Sequence, residues 1–299
     1  MPPEVNNGKG FKESDWQFLL AQIKAQTCIP VLGAGACAGA LPLANQVVKD
    51  WTELYEVPSW ISPNLESVSQ YLAILKQPMY PKTTFAEMLR NLPLPPMFEP
   101  HTTLAKLPLP VYLTTNYDEL MEKALKKTYR RPYRDCTPWN SFVQQYREAL
   151  PDNYVPEAAT PLVFHFHGHL DLTQSMVLTE DDYLTFLVKM AKEPDLIPGM
   201  VRYAMQRSCL LFIGYGLADK TYRVLHQSLI LGMDRAISPW NYAVMPLPVA
   251  RDATEDERQA AQSYMDKYLY ELRITAYYGT GAEFAKELAE RLERGGGDI

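Results

Sequence analysis

Cysteine is scarce in this sequence, and it never has the spacing of a metal site. The chain of 299 residues has four cysteines, Cys28, Cys37, Cys136 and Cys209, and no two of them form a C-x-x-C pair. A structural zinc site built from thiolates at the usual spacing is therefore excluded, and we expect no bound metal. Scattered single cysteines are typical of proteins in a reducing compartment, so we expect free thiols and a cytoplasmic location.

The sequence also lacks a signal peptide, a membrane span and a strong basic segment. Its first ten residues show no basic stretch followed by an apolar run, and no window approaches the ~18 apolar residues of a span. Lysine and arginine number 29 against 35 aspartates and glutamates, which gives a net charge of −6. Because an acidic surface repels phosphate backbones, we expect neither direct nucleic-acid binding nor membrane insertion.

Apolar and charged residues, at 47% and 21%, are in the proportions of a packed globular protein. Short apolar segments alternate with segments of helical periodicity, which predicts an α/β fold. Because the strand interiors are continuously apolar, we predict a mostly parallel, Rossmann-like sheet with helices on both faces. The predicted strands are Cys28–Leu32, Val111–Thr114, Leu162–Phe166, Cys209–Ile213, Tyr242–Met245 and Leu272–Tyr277.

We interpret the chain, residues 1–299, as one catalytic domain with two additions to the sheet. A helical insertion is expected over about residues 43–105, where three helical patterns follow one another. Five prolines between residues 129 and 161 predict an irregular flap over about residues 129–160.

Four distinctive clusters all follow predicted strands at their carboxyl ends. They are Gly33-Ala34-Gly35, Thr115-Asn116-Tyr117-Asp118, His167-Gly168 and Gly214-Tyr215-Gly216. Ligands of open α/β sheets bind at the carboxyl ends of strands, near the point where the strand order reverses. We therefore expect these four clusters to line one pocket.

Each cluster alone allows two interpretations. The Gly33 segment could let backbone N–H groups approach a diphosphate, or it could be a glycine turn without a ligand. Asn116 cannot act as a base, but its amide can hold a water or a ribose hydroxyl. Alone, Asn116 and Asp118 fit a helix cap better. Cys37 could be a nucleophile, although packing is the simpler interpretation.

Three histidines, His165, His167 and His169, alternate at the end of one predicted strand. They share a face unless Gly168 ends the strand, which makes a metal site conceivable, but no carboxylate or thiol ligands accompany them at standard spacing. His167, at the strand end, suits a general base near neutral pH. His165 is interpreted as a core histidine bonded to the backbone.

Taken together and in this order, the clusters resemble the motifs of the sirtuin superfamily. The segment from Gly33 to Pro42 is similar to the family's G-A-G-x-S and G-x-P motifs, with Cys37 in place of serine. Thr114 to Asp118 resembles T-Q-N-x-D in the form T-T-N-Y-D, and His167-Gly168 matches the H-G motif. Residues 214–219 resemble the late G-Y-S-x-x-D motif.

The chain lacks the four-cysteine zinc ribbon of protein-deacylating sirtuins, and Leu43-Ala44-Asn45 replaces their Asp-Phe-Arg segment. It thereby resembles the zinc-less, sirtuin-like NAD hydrolases of bacterial antiviral defence. The resemblance implies NAD as substrate, and Asn116 and His167 as catalytic residues. It also implies NAD-binding residues, which are Gly33, Ala34, Gly35, Cys37, Thr115, Asp118, Gly214, Tyr215, Gly216 and Asp219.

The resulting hypothesis is a regulated NAD hydrolase that depletes NAD in an infected cell, as in abortive infection. Since uncontrolled NAD loss would kill the host, we expect control by homo-oligomerisation, by a partner protein encoded nearby, or by both. Two alternatives remain: an NAD-dependent protein deacylase, and a non-catalytic NAD or ADP-ribose sensor that gates a partner.

Overall fold

The computed structural model of the chain describes residues 9–215, 239–250 and 252–294. Within these residues seven strands form one parallel sheet. They are β1 (Cys28–Leu32), β2 (Val111–Thr114), β3 (Tyr133–Cys136), β4 (Leu162–His165), β5 (Cys209–Ile213), β6 (Asn241–Met245) and β7 (Ile274–Tyr278). Their order in the sheet is β3-β4-β2-β1-β5-β6-β7, and every neighbouring pair is parallel. The expected Rossmann-like α/β fold is confirmed.

Helices separate most of the strands. The described helices are α1 (Glu13–Lys24), α2 (Ala44–Leu54), α3 (Leu65–Leu75), α4 (Tyr80–Asn91), α5 (His101–Leu104), α6 (Leu120–Lys127), α7 (Ser141–Tyr146), α8 (Glu180–Lys192), α9 (Gly199–Arg207), α10 (Glu255–Glu271) and α11 (Gly281–Arg294). Thr179 shows how the sequence starts one of them: its hydroxyl accepts the Asp182 N–H while Asp182 accepts the Thr179 N–H. No helix in the described ranges is both long and apolar enough to cross a bilayer.

Strand β1 is buried along its whole length, and its side chains supply both faces of the sheet. Leu32 belongs to a cluster that includes Trp16 of α1 and Phe284 of α11. Val31 belongs to a second cluster, with Phe186 of α8, on the opposite face. Period-two alternation therefore places helices on both faces, as predicted.

The register of the central strands brings their carboxyl ends to one edge. Leu32 pairs with Thr114 on one side and with Ile213 on the other, and Thr114 pairs with His165. The sheet grows from β1 in one direction through β2 and in the other through β5, so its topological switch point lies at β1. The turns after these strands carry the four clusters, of which the last is described as far as Tyr215, and the described parts therefore lie along one edge of the sheet.

Helices α2 to α4 pack around a cluster of their own beside the sheet. Trp51, Leu72 and Phe85 lie in this cluster, which also takes Leu178 from the segment before α8. The predicted helical segment is thus present, and its contacts with α8 hold it next to the turn that follows β4.

The segment over residues 129–160 is more ordered than the sequence suggested, because it supplies the edge strand β3 and helix α7. The sequence failed to indicate β3 because its interior residues are charged. Each charge is paired: Arg134 lies 3.1 Å from Glu119, and Arg147 lies 2.9 Å from Asp135. Ion pairing lets a polar tetrapeptide serve as a half-buried edge strand.

The turns after β1 and β5 touch through their backbones. Gly35 N–H donates to the Gly214 carbonyl at 2.9 Å, and Gly33 N–H donates to Ile213 at 2.9 Å. A Cβ on Gly214 would lie 2.1 Å from Ala36 N, and Gly214 also has a φ of +78°. Only glycine satisfies both the contact and the left-handed backbone.

This contact predicts a large cost for Gly214→Ala. The variant meets both a steric clash and backbone strain, so we expect its free energy of unfolding to fall by about 3 kcal/mol or more. Gly39→Ala is the matched control, because Gly39 has a φ of +85° but nothing within 4 Å of a Cβ. The control should lose only the strain, about 1–2 kcal/mol. Equal losses in urea unfolding would show that the turn contact contributes nothing.

Candidate functional site

Asn116 joins the turn after β2 to the turn after β1. Its Nδ2 donates to the Gly33 carbonyl at 2.9 Å and to Cys37 Sγ at 3.1 Å. Since a backbone carbonyl only accepts, the first bond fixes which end of the amide carries nitrogen. The amide oxygen Oδ1 is thereby turned away from Gly33 and can accept a hydrogen bond.

The two carboxylate oxygens of Asp118 accept hydrogen bonds from different partners. Oδ1 accepts the N–H of Leu120, the first residue of α6, at 2.9 Å, although the N-cap of this helix is Glu119. Oδ2 accepts the thiol of Cys37 at 3.1 Å. Burial, reinforced by the charge of Asp118, raises the pKa of Cys37 well above its ordinary value. Cys37 is therefore a protonated thiol and not an activated nucleophile.

The glycine segment after β1 uses most of its donors within the protein. The N–H groups of Gly33, Gly35 and Ala36 are all bonded to backbone carbonyls. Thr115 and Tyr215 meet beside this turn, with their hydroxyl oxygens 3.1 Å apart, and the Tyr215 hydroxyl also donates to Leu32. The glycines thus permit close packing of the turns, and this packing does not require a bound ligand. Of the other sequence-predicted residues, Gly216 and Asp219 lie outside the described residues.

His167 is almost completely buried, with 3% of its surface exposed. Its ring packs edge-on against Tyr183 and Phe186, and no described residue bonds its Nε2. Burial lowers the pKa of His167 to about 3, so the imidazole is neutral. A neutral ring can accept a proton, as a base must.

The three histidines do not share a face, because β4 ends at His165. The rings of His165 and His169 lie 5.6 Å apart, whereas His167 turns towards α8. Among the described residues these histidines form no group that could hold a metal. His165 is a core histidine bonded to backbone, as expected: its Nδ1 lies 2.9 Å from the Asn116 carbonyl.

A buried ion pair lies behind Asn116. His165 Nε2 lies 2.9 Å from Glu122 Oε1, and both side chains are nearly inaccessible to solvent. Burial alone would lower the pKa of His165, but the Glu122 charge and the two hydrogen bonds raise it. Burial would likewise raise the pKa of Glu122, yet His165 holds it below its usual value. Both ring nitrogens face acceptors, an arrangement that favours the protonated ring.

Sequence reasoning missed two residues of this region, Glu122 and His101. Glu122 stands four residues after Asp118, a helical spacing that could have indicated it. His101, at the start of α5, is buried and lies with Cys37 and Asp118, the donor atoms all being within 4.8 Å of one another. No local sequence pattern indicates His101 as a site residue, because its position depends on how α5 packs.

The family assignment follows from a comparison with known protein families. Residues 110–269, more than half of the chain, match the SIR2-like domain. This chain belongs to the SIR2-like family. The match covers Asn116, Asp118 and His167, whereas the Gly33 turn precedes it. The resemblance to sirtuins that the motifs indicated is thus confirmed.

Several curated proteins are similar to part of this SIR2-like chain, and they carry the name NAD(+) hydrolase ThsA. The Enterococcus faecium protein is 31% identical over 127 residues, 40% of this chain and 22% of that protein. The Bacillus cereus (strain MSX-D12) protein is 30% identical over 121 residues, with the same shares. The Cytobacillus dafuensis protein is 29% identical over 143 residues, 46% of this chain and 25% of that protein. The match thus spans about a quarter of each relative or less.

The buried ion pair of this SIR2-like domain predicts a pH-dependent stability. His165, with its raised pKa, stabilises the fold fully below about pH 6.5 and loses this effect as the pH rises through its folded pKa. Glu122, with its lowered pKa, stabilises above about pH 4.5 and loses this effect as the pH falls through its folded pKa. Glu122→Gln should therefore cost most between these values, about 3–5 kcal/mol.

The matched control is Glu119→Gln, which removes a partly exposed carboxylate paired with Arg134 in the same region. It should cost about 1 kcal/mol or less, with a shallow pH dependence. Urea unfolding from pH 4 to 9 measures both variants. A Glu122→Gln cost that does not change across this range would contradict the ion pair.

Proposed function

We propose that the chain is an NAD hydrolase that cleaves NAD into nicotinamide and ADP-ribose. The observation that carries this proposal is the oriented amide of Asn116, held by Gly33 and Cys37 at the carboxyl edge of the sheet. The names of the ThsA relatives support the same activity. We propose further that the activity depletes NAD in cytoplasm during antiviral defence, and that residues 1–299 act as one catalytic domain.

The reaction breaks the bond between the nicotinamide nitrogen and the anomeric carbon of the ribose. The cationic ring leaves as neutral nicotinamide, and its departure gives the ribose oxocarbenium character. A water oxygen then bonds to the anomeric carbon, and its proton passes to a base. The protein has to hold the diphosphate, place the ribose and direct the water.

Asn116 is proposed to place the water or a ribose hydroxyl. With Nδ2 engaged by protein acceptors, Oδ1 is the end of the amide that remains for the substrate. An oriented acceptor at this point lowers the entropic cost of reaching the reactive geometry. The ion pair of His165 and Glu122 supports it, since His165 holds the Asn116 carbonyl from behind.

His167 is proposed to accept the proton. In the ligand-free site it is neutral but weakly basic, because burial disfavours its charged form. The diphosphate of bound NAD brings negative charge, which would raise the pKa of His167. On this proposal the substrate itself makes the base effective, so free enzyme has little basicity at this position.

The remaining predicted residues are proposed to bind NAD. Asp118 accepts a hydrogen bond from the nicotinamide amide, and the backbone around Gly33 and Gly214 lies along the diphosphate. Ala34, Gly35, Cys37, Thr115, Tyr215, Gly216 and Asp219 complete the proposed NAD-binding set. We further propose that assembly of copies of the chain, or a partner protein encoded nearby, controls access to this site.

Two substitutions test the catalytic assignment. Asn116→Ala and His167→Ala should each reduce nicotinamide release by at least about 10²-fold, because one removes an oriented acceptor and the other the base. Chromatography of NAD incubated with each purified variant measures this. Asn64→Ala is the matched control: it removes the amide that caps α3, at about 1 kcal/mol of stability, and should keep full activity. Full activity of Asn116→Ala would overturn the assignment.

A second experiment separates hydrolysis from the alternative activities. NAD is incubated with the protein alone, with an acetyl-lysine peptide, and with the product of a neighbouring gene. A hydrolase releases ADP-ribose without the peptide, whereas a deacylase requires it and yields an acylated ADP-ribose. Binding of NAD without any nicotinamide release under all three conditions would favour the sensor.

A further inference from the structure

A thiol, an imidazole and a carboxylate converge beside the proposed NAD site. Cys37 lies in the turn after β1, His101 begins α5, and Asp118 follows β2. One donor atom from each lies within 4.8 Å of the other two. Cys37 and His101 are buried, and Asp118 is partly exposed, so the cluster is closed on one side and open on the other.

His101 is the member of the cluster that the fold does not explain. It is 1% exposed, and no described residue bonds its Nδ1. A buried polar atom without a partner costs free energy, and such atoms are rare in native proteins. Its ring is packed edge-on against Phe98, which fixes its orientation. His101 therefore adds to the cluster an imidazole with a buried nitrogen that no described residue bonds.

We propose that Cys37, His101 and Asp118 bind a zinc ion, which blocks the site when bound. The blocking role rests on the function proposed above; the zinc site does not. Sulfur, nitrogen and carboxylate oxygen are the ligands that zinc takes in proteins, whereas magnesium and calcium prefer oxygen alone. A thiolate and a carboxylate together balance the two positive charges of the ion, which a buried site requires.

The geometry needs a modest adjustment to hold zinc. Ligand bonds of about 2.0–2.3 Å in a tetrahedron place neighbouring donor atoms roughly 3.5 Å apart. Cys37 Sγ and Asp118 Oδ2, at 3.1 Å, already meet this spacing. No separation in the cluster exceeds 4.8 Å, so the ligand atoms need to approach by at most about 1.3 Å to reach tetrahedral spacing. Three protein ligands leave the fourth position open towards the exposed side.

The supporting hydrogen bonds of such a site are already present. Asn116 Nδ2 donates to the sulfur, and the Leu120 N–H donates to the second oxygen of Asp118. Outer bonds of this kind orient metal ligands and tune their basicity. On binding, the thiol of Cys37 loses its proton to solvent, and the S–H bond to Asp118 is replaced by two bonds to zinc.

Zinc and NAD would then compete for the same groups. The ion takes the Asp118 carboxylate, to which the proposed function assigns the nicotinamide amide. It also lies beside Asn116, whose amide contacts the metal-bound sulfur. Bound zinc should therefore prevent nicotinamide release, and its removal by a chelator should restore it.

The test measures metal binding directly, without any turnover of NAD. The purified full chain is stripped with a chelator and titrated with zinc against a chromogenic competitor. We expect one zinc per chain in the wild type. His101→Gln and Cys37→Ser should each bind at least about tenfold more weakly. Cys136→Ser, which alters a buried cysteine outside the cluster, is the matched control and should bind as the wild type does.

Cobalt substitution supplies a second readout that does not depend on affinity. The wild type and His101→Gln should show the sulfur-to-cobalt charge-transfer absorption, and Cys37→Ser should lack it. Thermal unfolding verifies that each variant is folded. A wild type that binds no zinc, or a His101→Gln variant that binds it equally well, would overturn the site.

The proposed blocking of nicotinamide release by zinc is tested separately. If the wild type releases nicotinamide, stoichiometric zinc should suppress the release, while His101→Gln should remain active at the same zinc concentration. Zinc that binds the wild type at one ion per chain without slowing nicotinamide release would overturn the blocking role. A chain that binds zinc but never cleaves NAD contradicts the proposed function and leaves the metal site standing.

Discussion

The hydrogen bond from Asn116 Nδ2 to the Gly33 carbonyl is the contact on which the site depends. It joins the turns after β1 and β2, and it fixes the orientation of the Asn116 amide, which we propose faces the substrate. The glycine contact between the turns after β1 and β5 keeps Gly33 in place on the other side. Hydrogen bonds to backbone carbonyls thus hold three strand ends together. A backbone carbonyl only accepts hydrogen bonds, and a side-chain substitution does not remove it.

Electrostatics reinforce this arrangement from behind. Both nitrogens of His165 face acceptors, which favours the charged form of the ring, and Glu122 compensates that charge. Burial makes such a pair costly to break, since removal of one partner leaves an isolated charge in the core. Burial lowers the pKa of His167, two residues after His165, and none of the described carboxylates offsets this effect, so the ring is neutral. The pKa values of two histidines in one short segment are thereby shifted in opposite directions, that of His165 upward and that of His167 downward.

The sequence predicted the parts that depend on local patterns. Apolar runs indicated six of the seven strands, and the position of Asn116 and Gly214 after such runs predicted a common edge. Strand β3 was not predicted because Arg134 and Asp135 are charged. Their ion-pair partners lie elsewhere in the sequence and are known only from the structure. His101 was missed for the same reason: α5 brings it to Cys37 and Asp118 through tertiary packing. Asn116 and Asp118, which taken alone fit a helix cap, have different partners: Asp118 Oδ1 accepts the Leu120 N–H, whereas Asn116 donates to Gly33.

The central claim is that Asn116 Oδ1 faces the nicotinamide ribose of NAD. A crystal structure of the His167→Ala variant soaked with NAD tests it most directly, because this variant should bind NAD without cleaving it. We expect the ribose or a water on its anomeric side within hydrogen-bond distance of Oδ1, with the nicotinamide amide at Asp118. NAD bound away from the edge formed by Gly33, Asn116 and Gly214 would contradict it.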